Sequence, residues 1–572
     1  MKKTILIVAS LIWCLITMSP DAYAQTGSEN AVELLGDRTF IHVDRLNLKG
    51  DETLMDVFLM YPELLVAGFD DMLSNYQLRT ENTNIYCDVR QFLTTTPAKS
   101  VERIQICENP SVAKGTTGLG GVIDLNMKRC EEGAHGFVGS EFTHKLGWAP
   151  LGAVNYGYTS PNSVATTDVY AIANAVDNSR HGDSDFRQNT SINVKQRFSK
   201  RDRMIFYLRQ SYDRLATSPF SSDTRSYLAR GYYFHTFNNI GTELLCVAGY
   251  LYDDDKGESE KSSLKNKKRT TSGLQTYMVE LNTPLPFLGN AQLMAGWESD
   301  FIHLKYDVYQ DMVNQSVPFD ANDRYTVSNN DLYIQLDYGI GPVTLSLGDR
   351  LSLYHYGMKA ANGLYSCNPN RNAVMASAIT NIARGHQLQL AYYRRYINPS
   401  FLDALPTAYP ESDGTTWMRV RRLKDERRAD VYRLAYIFNR SNLNANLGGK
   451  FVHMVDGGEN SLHLNASVSW RSDWFTLAGG ANFIHANNSG DKTNFGYVRL
   501  APSVCLPWQM RITAQAVWCS KNAPERQLTD TSVYGLLGVE KTFARHLALS
   551  AQWHDMFYGK RHGALVSVRY LF

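Results

Sequence analysis

Alternation of apolar and polar residues is the feature that most constrains this chain of 572 residues. Leu462, Leu464, Ala466, Val468 and Trp470 alternate with polar residues, and similar runs recur from about His135 to the last residue. A period of two indicates β-strands with one apolar and one polar face. The runs predict about 22 strands of roughly ten residues, which is the length that a tilted membrane-spanning strand needs.

The spacing between these runs separates a membrane barrel from a soluble sandwich, which has the same local alternation. Short connections, such as 383–386 and 543–546, alternate with the long stretches 253–270, 307–328 and 398–427. Outer-membrane barrels have short periplasmic turns and long extracellular loops. Residues 131–572 are therefore predicted to be an all-β membrane barrel of about 22 antiparallel transmembrane strands, with the charge-rich stretch 253–270 as a solvated extracellular loop.

The first residues indicate export. Lys2 and Lys3 precede an apolar stretch and the sequence Ala22-Tyr23-Ala24, so residues 1–24 have the pattern of a cleaved signal peptide. Export argues against a cytosolic nucleotide-dependent enzyme. No G-x-S-x-G or H-E-x-x-H sequence occurs, and we expect no enzymatic activity and no cofactor. The net charge of +2 is too small to indicate a nucleic-acid partner.

Residues 37–130 precede the barrel and are the predicted plug of its lumen, because 22-stranded outer-membrane transporters are plugged. Residues 25–36 would form a short periplasmic segment before it. The plug is predicted to be mixed α+β. Residues 54–65 have helical apolar spacing, and 83–89, 101–108 and 121–127 have the pattern of short strands.

A glycine-rich turn, with Gly115, Gly118, Gly120 and Gly121, lies inside the predicted plug. Such turns bind phosphates only where they open a helix, and this one leads into a strand. No G-K-[ST] sequence follows it. The glycines are better explained by positive φ angles and close packing in a turn.

The same stretch, VERIQICENPSVAKGTTGLGGVIDLNMK, resembles the plug of TonB-dependent outer-membrane receptors. That family has an "IERIEV" strand, a proline- or serine-bearing turn and a "GxGGVINI" strand. YYRRYINPSFLDALP and RRLKDERRADVYRLAY are similar to the region around the family's seventh extracellular loop, so the resemblance covers nearly the whole mature chain. The residues that carry the plug motif are Asn109, Pro110, Ser111, Gly115, Gly118, Gly120 and Gly121.

The resemblance implies active import of a scarce solute, such as a siderophore, haem or a similar chelate. The energy-transducing TonB complex would open a path through the plug, after pairing with a short N-terminal box as an added strand. Here the box is weak, because only one segment has a suitable apolar composition, and that segment is equally well explained as the start of the plug. Its residues are Ala31, Val32, Glu33, Leu34 and Leu35.

A second function therefore stays open at this point: a plugged outer-membrane barrel without TonB coupling that acts in adhesion, assembly or partner docking. Other partners implied for either function are outer-membrane lipids, lipopolysaccharide and the barrel assembly machinery. The barrel assembly machinery recognises a C-terminal aromatic residue, and the last residue of this sequence is Phe572.

The densest basic cluster lies where the seventh loop descends to its strand, and it includes Arg419, Arg421, Arg422 and Arg428. Guanidinium groups bind carboxylates and phosphates bidentately, so these residues are candidate solute ligands. Lipopolysaccharide phosphates are the alternative partner. Strand parity places Arg419 and Arg421 on one face and Arg422 on the other.

Two further predictions concern cysteines and metals. Cys87 and Cys107 lie on neighbouring predicted plug strands and could form a disulfide in an oxidising compartment. No C-x-x-C or C-x-x-H spacing occurs, so no metal site is predicted. His355, His453 and His485, near the bases of loops, could bind haem only if they converge.

Overall fold

The structure is a computed structural model, and its described residues cover most of the chain after residue 31. They are residues 32–35, 38–43, 54, 57, 76–80, 83–84, 93, 96, 98–107, 121–127, 133–143, 147–159, 166–177, 184–217, 220–261, 264–312, 319–360, 363–397, 407–410, 416–419, 427–440, 442–455, 460–472, 474–488, 491–508, 510–520, 533–543, 547–554 and 563–571. The predicted signal peptide lies outside them. The described residues include no helix with the length and apolar character to cross a bilayer.

The first six strands form one mixed sheet. They are β1 (Val32–Leu35), β2 (Arg38–His42), β3 (Tyr76–Thr80), β4 (Thr83–Asn84), β5 (Val101–Cys107) and β6 (Gly121–Met127). Their order is β1-β2-β5-β6-β3-β4, so β1 lies at one edge, and a 3-10 turn at Ala98–Ser100 leads into β5. Only β3 and β6 pair in parallel among these described strands.

The predicted plug strands 101–108 and 121–127 are confirmed as β5 and β6. Of the predicted strand 83–89 the structure describes only β4. Leu54 and Val57, in the predicted helical stretch 54–65, are buried in the core of the sheet, and the rest of that stretch lies outside the described residues.

The remaining strands form a closed barrel, apart from one small two-stranded sheet. The first barrel strands are β7 (Gly133–Thr143), β8 (Gly147–Thr159), β9 (Thr166–Asp177), β10 (Ser184–Arg197), β11 (Asp202–Thr217), β12 (Phe220–Thr236), β13 (Glu243–Lys261), β14 (Leu264–Leu285), β15 (Asn290–Met312), β16 (Phe319–Ile340), β17 (Val343–Ala360), β18 (Gly363–Cys367), β19 (Asn370–Ala383) and β20 (His386–Ile397). A 3-10 turn at Pro286–Leu288 joins β14 to β15.

The second half of the barrel follows the small sheet of β21 (Thr407–Pro410) and β22 (Thr416–Arg419). Its strands are β23 (Arg427–Arg440), β24 (Leu443–Met454), β25 (Asn460–Arg471), β26 (Phe475–Asn488), β27 (Asp491–Leu506), β28 (Met510–Cys519), β29 (Val533–Phe543), β30 (Leu547–His554) and β31 (Gly563–Leu571). The barrel closes where β31 pairs with β7, with Arg569 opposite Gly139.

The strand count confirms the prediction of about 22. The closed sheet contains 23 segments, but β18 and β19 both pair with β17 and are two parts of one crossing, so the segments make 22 crossings. Every described neighbouring pair in it is antiparallel, as β7 with β8 and β20 with β23 illustrate. The fold class predicted from alternation is therefore correct.

The two faces of each strand differ as the alternation predicts. In β16, Leu332 and Ile334 are exposed, whereas Tyr333 and Gln335 between them are buried. The exposed face is apolar and suits contact with lipid, and the buried face carries many polar residues. The polar face therefore points into the barrel lumen.

The six-stranded sheet lies against this inner face. Its buried residues, including Ile41 and Leu125, form one core cluster with Tyr207, Leu251 and Leu274 of the barrel wall. The Lys195 ammonium group, on β10, also donates a hydrogen bond to the Met127 carbonyl oxygen at 3.4 Å. These contacts fix the sheet to several strands of the wall and place it in the lumen.

Two predicted loops are wrong. Residues 253–270 are mostly strand, since β13 and β14 run on as a paired ladder to Lys261 and Leu264. In the stretch 307–328, β15 continues to Met312 and β16 begins at Phe319. Opposite charges on diagonal positions of the ladder stabilise the extension: the Arg269 guanidinium lies 2.9 Å from the Asp254 carboxylate. The charge-rich stretch is thus a strand-paired extension of the barrel wall, and β14, β15 and β16 are each 22 or 23 residues long.

Candidate functional site

Three neighbouring strands place charged side chains in the lumen. Glu298 on β15, Asp331 on β16 and Arg350 on β17 are each at most 2% exposed. All three occupy inward positions of strands whose outward positions are apolar, such as Leu332 and Leu351. Buried charges of this kind require partners, because burial without them costs several kcal/mol, of order 3 to 5 for a broken pair.

Arg350 is the centre of the resulting network. Its Nη2 donates to Glu298 Oε2 at 2.7 Å, and its Nε donates to Asp331 Oδ2 at 2.9 Å. Arg79, on β3 of the inner sheet, brings a second guanidinium to 3.9 Å from Glu298 Oε1. Glu298 therefore joins the inner sheet to the barrel wall.

An arginine–tyrosine cluster lies on the same wall, closer to the rim that carries the long hairpins. The Arg371 guanidinium stacks 3.7 Å from the ring centroid of Tyr354, and its Nη2 donates to the Tyr356 hydroxyl at 2.9 Å. The two tyrosine rings are themselves stacked with their centroids 5.7 Å apart. Together these groups form a cationic and aromatic cluster on the inner face of the wall.

The buried side chains that the structure describes carry an excess of positive charge. Nine arginines are buried and only six aspartates and glutamates, so the cations exceed the carboxylates by three. Such a surface attracts anions and can bind carboxylate or phosphate groups bidentately. Among the described residues, no group of three or more His, Cys, Asp and Glu side chains is arranged to hold a metal ion.

Known structures share this architecture. The ferric citrate transporter FecA, in its unliganded form, matches with a TM-score of 0.75 at 11% identity, over 95% of this chain and 97% of that one. The siderophore receptor PirA from Pseudomonas aeruginosa matches with a TM-score of 0.67 at 12% identity, over 94% and 100% of the two chains. The alcaligin outer-membrane receptor FauA from Bordetella pertussis gives 0.68 at 10% identity, over 96% of each chain.

This is the fold of the TonB-dependent siderophore receptors. No family model and no curated protein matches the sequence. At 10 to 12% identity the likeness shows the fold alone.

The candidate TonB segment is a strand of the inner sheet. Val32 to Leu35 form β1, which pairs antiparallel with β2 from Val32 opposite Ile41 to Leu35 opposite Arg38. Its other edge pairs with no strand among the described residues, although β1 contacts β23 of the barrel wall. Ala31 lies outside the described residues, as does the plug motif from Asn109 to Gly120, whereas Gly121 begins β6.

Of the predicted arginine ligands, Arg428 does not lie at the luminal cluster. Of the four, the structure describes the backbone of Arg419, in β22, and the whole of Arg428, in β23. Arg428 shares its strand face with the exposed residues Tyr432 and Leu434, so it lies on the outer side of the wall. Arg421 and Arg422 lie outside the described residues, and a solute role for any of the four stays a prediction.

The three histidines near the loop bases do not converge. Each bonds through Nδ1 to an asparagine across its own hairpin: His355 to Asn368, His453 to Asn460 and His485 to Asn494. A shared haem site at these residues is excluded, because they lie on β17, β24 and β26 and each is occupied locally. Cys107 is buried in β5, and Cys87 lies outside the described residues, so their disulfide stays a prediction.

The luminal network was not predicted from the sequence, although the sequence contains a pattern that indicates its charged residues. Charged residues occur at alternate positions of otherwise apolar strands, as with Glu298 and Asp300 in WESDFIHL or Arg350 in GDRLSLY. Alternation alone marks these positions as the polar face. It does not show which of them meet, because Glu298 and Arg350 lie on strands separated by β16.

Proposed function

We propose that this chain is an outer-membrane receptor that imports a scarce, small, anionic chelate, such as a siderophore complex, under the control of the TonB complex. The observation that carries the proposal is the folded sheet inside a closed barrel of 22 crossings. A lumen filled in this way would block passive diffusion, and it is consistent with a gated path for transport. The shared fold of known siderophore receptors supports the same function.

The charge of the lumen supports an anionic solute. Arg371 lies in a buried surface where arginines outnumber carboxylates, and Tyr354 and Tyr356 add flat aromatic area. Among the structures of the same fold, FecA is a ferric citrate transporter. A chelate with several carboxylate or phenolate oxygens would find matching donors on this wall.

The N-terminal strand is the proposed coupling element. β1 is an edge strand, and an extended TonB segment could add to its unpaired edge through main-chain hydrogen bonds. Residues 37–130 would act as the plug, residues 131–572 as the barrel, and the barrel would sit in the outer membrane with its tight turns in the periplasm. Phe572 would serve recognition by the barrel assembly machinery.

The second candidate, a plugged barrel that docks partners without TonB, is favoured by one observation. The only candidate coupling segment is already paired with β2 and is therefore built into the inner sheet. A segment that serves only as the start of the plug would have the same arrangement.

Uptake measurements distinguish the two. We would follow radiolabelled ferric citrate and a panel of ferric siderophores in cells that carry the parent, Val32→Pro or Leu34→Pro, with Ser28→Pro as the matched control outside β1. Proline removes a main-chain donor and disfavours strand pairing. Coupling through β1 predicts that uptake stops in the first two variants while surface binding persists, and that the control imports normally.

Uptake that is unchanged by both proline variants would remove β1 as the coupling element. Surface binding without uptake in the parent itself would favour the docking function. Recovery of the protein in the soluble periplasm, rather than as a heat-modifiable outer-membrane protein, would contradict both.

A further inference from the structure

One part of the inner wall carries small or polar side chains at every inward position. It spans the halves of β24, β25 and β26 nearer the tight turns, and we call it the amide patch. Its residues are Asn444, Asn446, Gly448, Asn465, Ser467, Ser469, Ala478, Gly480 and Asn482. The ladder sets them in rows, since Ser467 lies directly opposite Asn446 on one side and Gly480 on the other. Between them the exposed apolar residues Leu447 and Leu464 face outward.

Several polar atoms of the amide patch are buried without a partner. Four of them have no hydrogen-bond partner in the part of the chain that the structure describes: Asn444 Oδ1, Asn446 Oδ1, Ser469 Oγ and Asn482 Oδ1. Asn444 and Ser469 are only 4% and 1% exposed. A buried polar atom without a partner is costly, so such groups ordinarily bond to ordered water or to a ligand. Their grouping on neighbouring strands indicates a hydrated crevice rather than dry packing.

The opposite wall of the lumen is packed with large apolar side chains at the same height. In the ring of 22 crossings, β26 lies eleven crossings from β12. Ile205, Tyr232 and Val247, on β11 to β13, belong to one buried apolar cluster there. Farther from the tight turns, Tyr207 and Leu251 of the same strands pack against the inner sheet. The inner sheet is thus attached by dry contacts to the wall that faces the amide patch.

The amide patch also lies next to the proposed coupling strand. β1 contacts β23, and β23 pairs with β24. A pull on β1 would therefore act beside the patch, whereas the apolar contacts of the inner sheet with β11 to β14 lie across the lumen. Separating apolar surfaces exposes them to water at a cost that polar surfaces do not have. The inner sheet should therefore separate from the wall first at the patch.

We propose that the amide patch is one wall of the solute passage, so that a solute rich in hydroxyl, carboxylate or amide groups crosses the lumen between the inner sheet and β24 to β26. The neutral amides and hydroxyls replace water around the solute, and several weak contacts in sequence let it leave again. Arg499, directly opposite Gly480 on β27, adds a positive charge at the edge of the patch. This inference rests on the proposed import function and assigns the side of the plug on which import occurs.

Solvent access is tested first, with the purified full chain in detergent micelles. Ser467→Cys and Val247→Cys place a thiol on the two walls at matched heights, near the ends of β25 and β13 that adjoin tight turns. The small hydrophilic reagent methanethiosulfonate ethylammonium modifies accessible thiols, and peptide mass spectrometry locates the modification. We expect modification at position 467 to be at least about tenfold faster, because a thiol in dry packing reacts only when the wall opens locally. Equal rates at the two positions, or no modification at 467, would overturn the crevice.

Passage is tested by uptake of radiolabelled ferric citrate and the same panel of ferric siderophores into cells. Ser467→Phe fills the crevice. The matched control Ser550→Phe enlarges a 5% exposed inward serine on β30, whose Oγ already bonds Ser567 Oγ at 2.6 Å. We expect uptake to stop in Ser467→Phe while surface binding persists, and the control to import normally. Unchanged uptake in Ser467→Phe, or equal loss in both variants, would overturn the passage.

A folding defect is controlled by heat-modifiable migration of each variant. If Ser467→Phe does not fold, the Ser467→Cys variant is assembled first and then modified with benzyl methanethiosulfonate, which should stop uptake in that variant and not in the parent. The proposed function fails separately from this inference. A parent that imports none of the panel would contradict the proposed import, and selective modification at position 467 would still support the crevice. Import by Ser467→Phe would contradict only the passage.

Discussion

We expect replacement of Glu298 to lower the free energy of unfolding more than replacement of any other luminal residue described above. It is fully buried, accepts a hydrogen bond from Arg350 at 2.7 Å and lies 3.9 Å from Arg79 of the inner sheet. With Asp331 these residues form a quartet of two arginines and two carboxylates, which has no net charge. Glu298→Gln keeps the shape of the side chain and leaves the quartet with one uncompensated buried positive charge.

The expected cost is about 3–5 kcal/mol, the range for breaking a buried ion pair by removing one partner. Glu258→Gln is the matched control, because Glu258 pairs with Lys267 at 3.2 Å on the exposed outer wall, with 59% and 45% of the side chains accessible. Exposed pairs of this kind contribute about 0–1 kcal/mol. The difference between the two variants should therefore be at least about 2 kcal/mol.

Guanidinium unfolding in detergent micelles, followed by tryptophan fluorescence, measures this difference. Adding Arg79→Gln to Glu298→Gln restores neutrality, so the double variant should be less destabilised than the sum of the single ones by about 1–3 kcal/mol. Equal effects of Glu298→Gln and Glu258→Gln, or strict additivity of the pair, would refute the network as described.

Three further predictions concern closure, assembly and the solute. Gly139→Val should prevent the pairing of β31 with β7, because a Cβ at residue 139 would meet the backbone of β31. The control Gly152→Ala should be tolerated. We expect the fast-migrating form of the unboiled protein to be lost in the Gly139→Val variant alone. Deletion of Phe572 should reduce the amount of folded protein in outer-membrane fractions, and unchanged amounts would show that the terminal residue is not read. Arg421→Gln and Arg422→Gln, which have opposite strand parity, should weaken solute binding unequally if one points inward, by about tenfold to a hundredfold; negligible effects at both would exclude this cluster as a solute site.

The barrel was predictable because its signal is local and repeated. Each strand carries its own alternation, as in β25, and the repetition of short connections at one rim fixes which ends meet. The stretch 253–270 was misread as a loop for the opposite reason. Its charges look solvated when read along the chain, and only the register that sets Arg269 diagonally across from Asp254 shows that they stabilise a ladder.

The luminal network depends on the same non-local register. Arg79 and Glu298 are more than 200 positions apart in the chain, and nothing in either segment indicates the other. The family resemblance predicted the plug, but it did not locate the luminal network, because the shared motifs lie elsewhere.

The most direct test of the account is the ion conductance of single barrels in a planar bilayer, compared between the full mature chain and a variant that lacks residues 37–130. If those residues fill the lumen and are held there by contacts such as Arg79 with Glu298, the full chain should conduct almost no ions. The shortened chain should form open pores, because its lumen would then hold water. Equal conductance of the two would contradict the account, since it would mean that the inner sheet does not block the barrel.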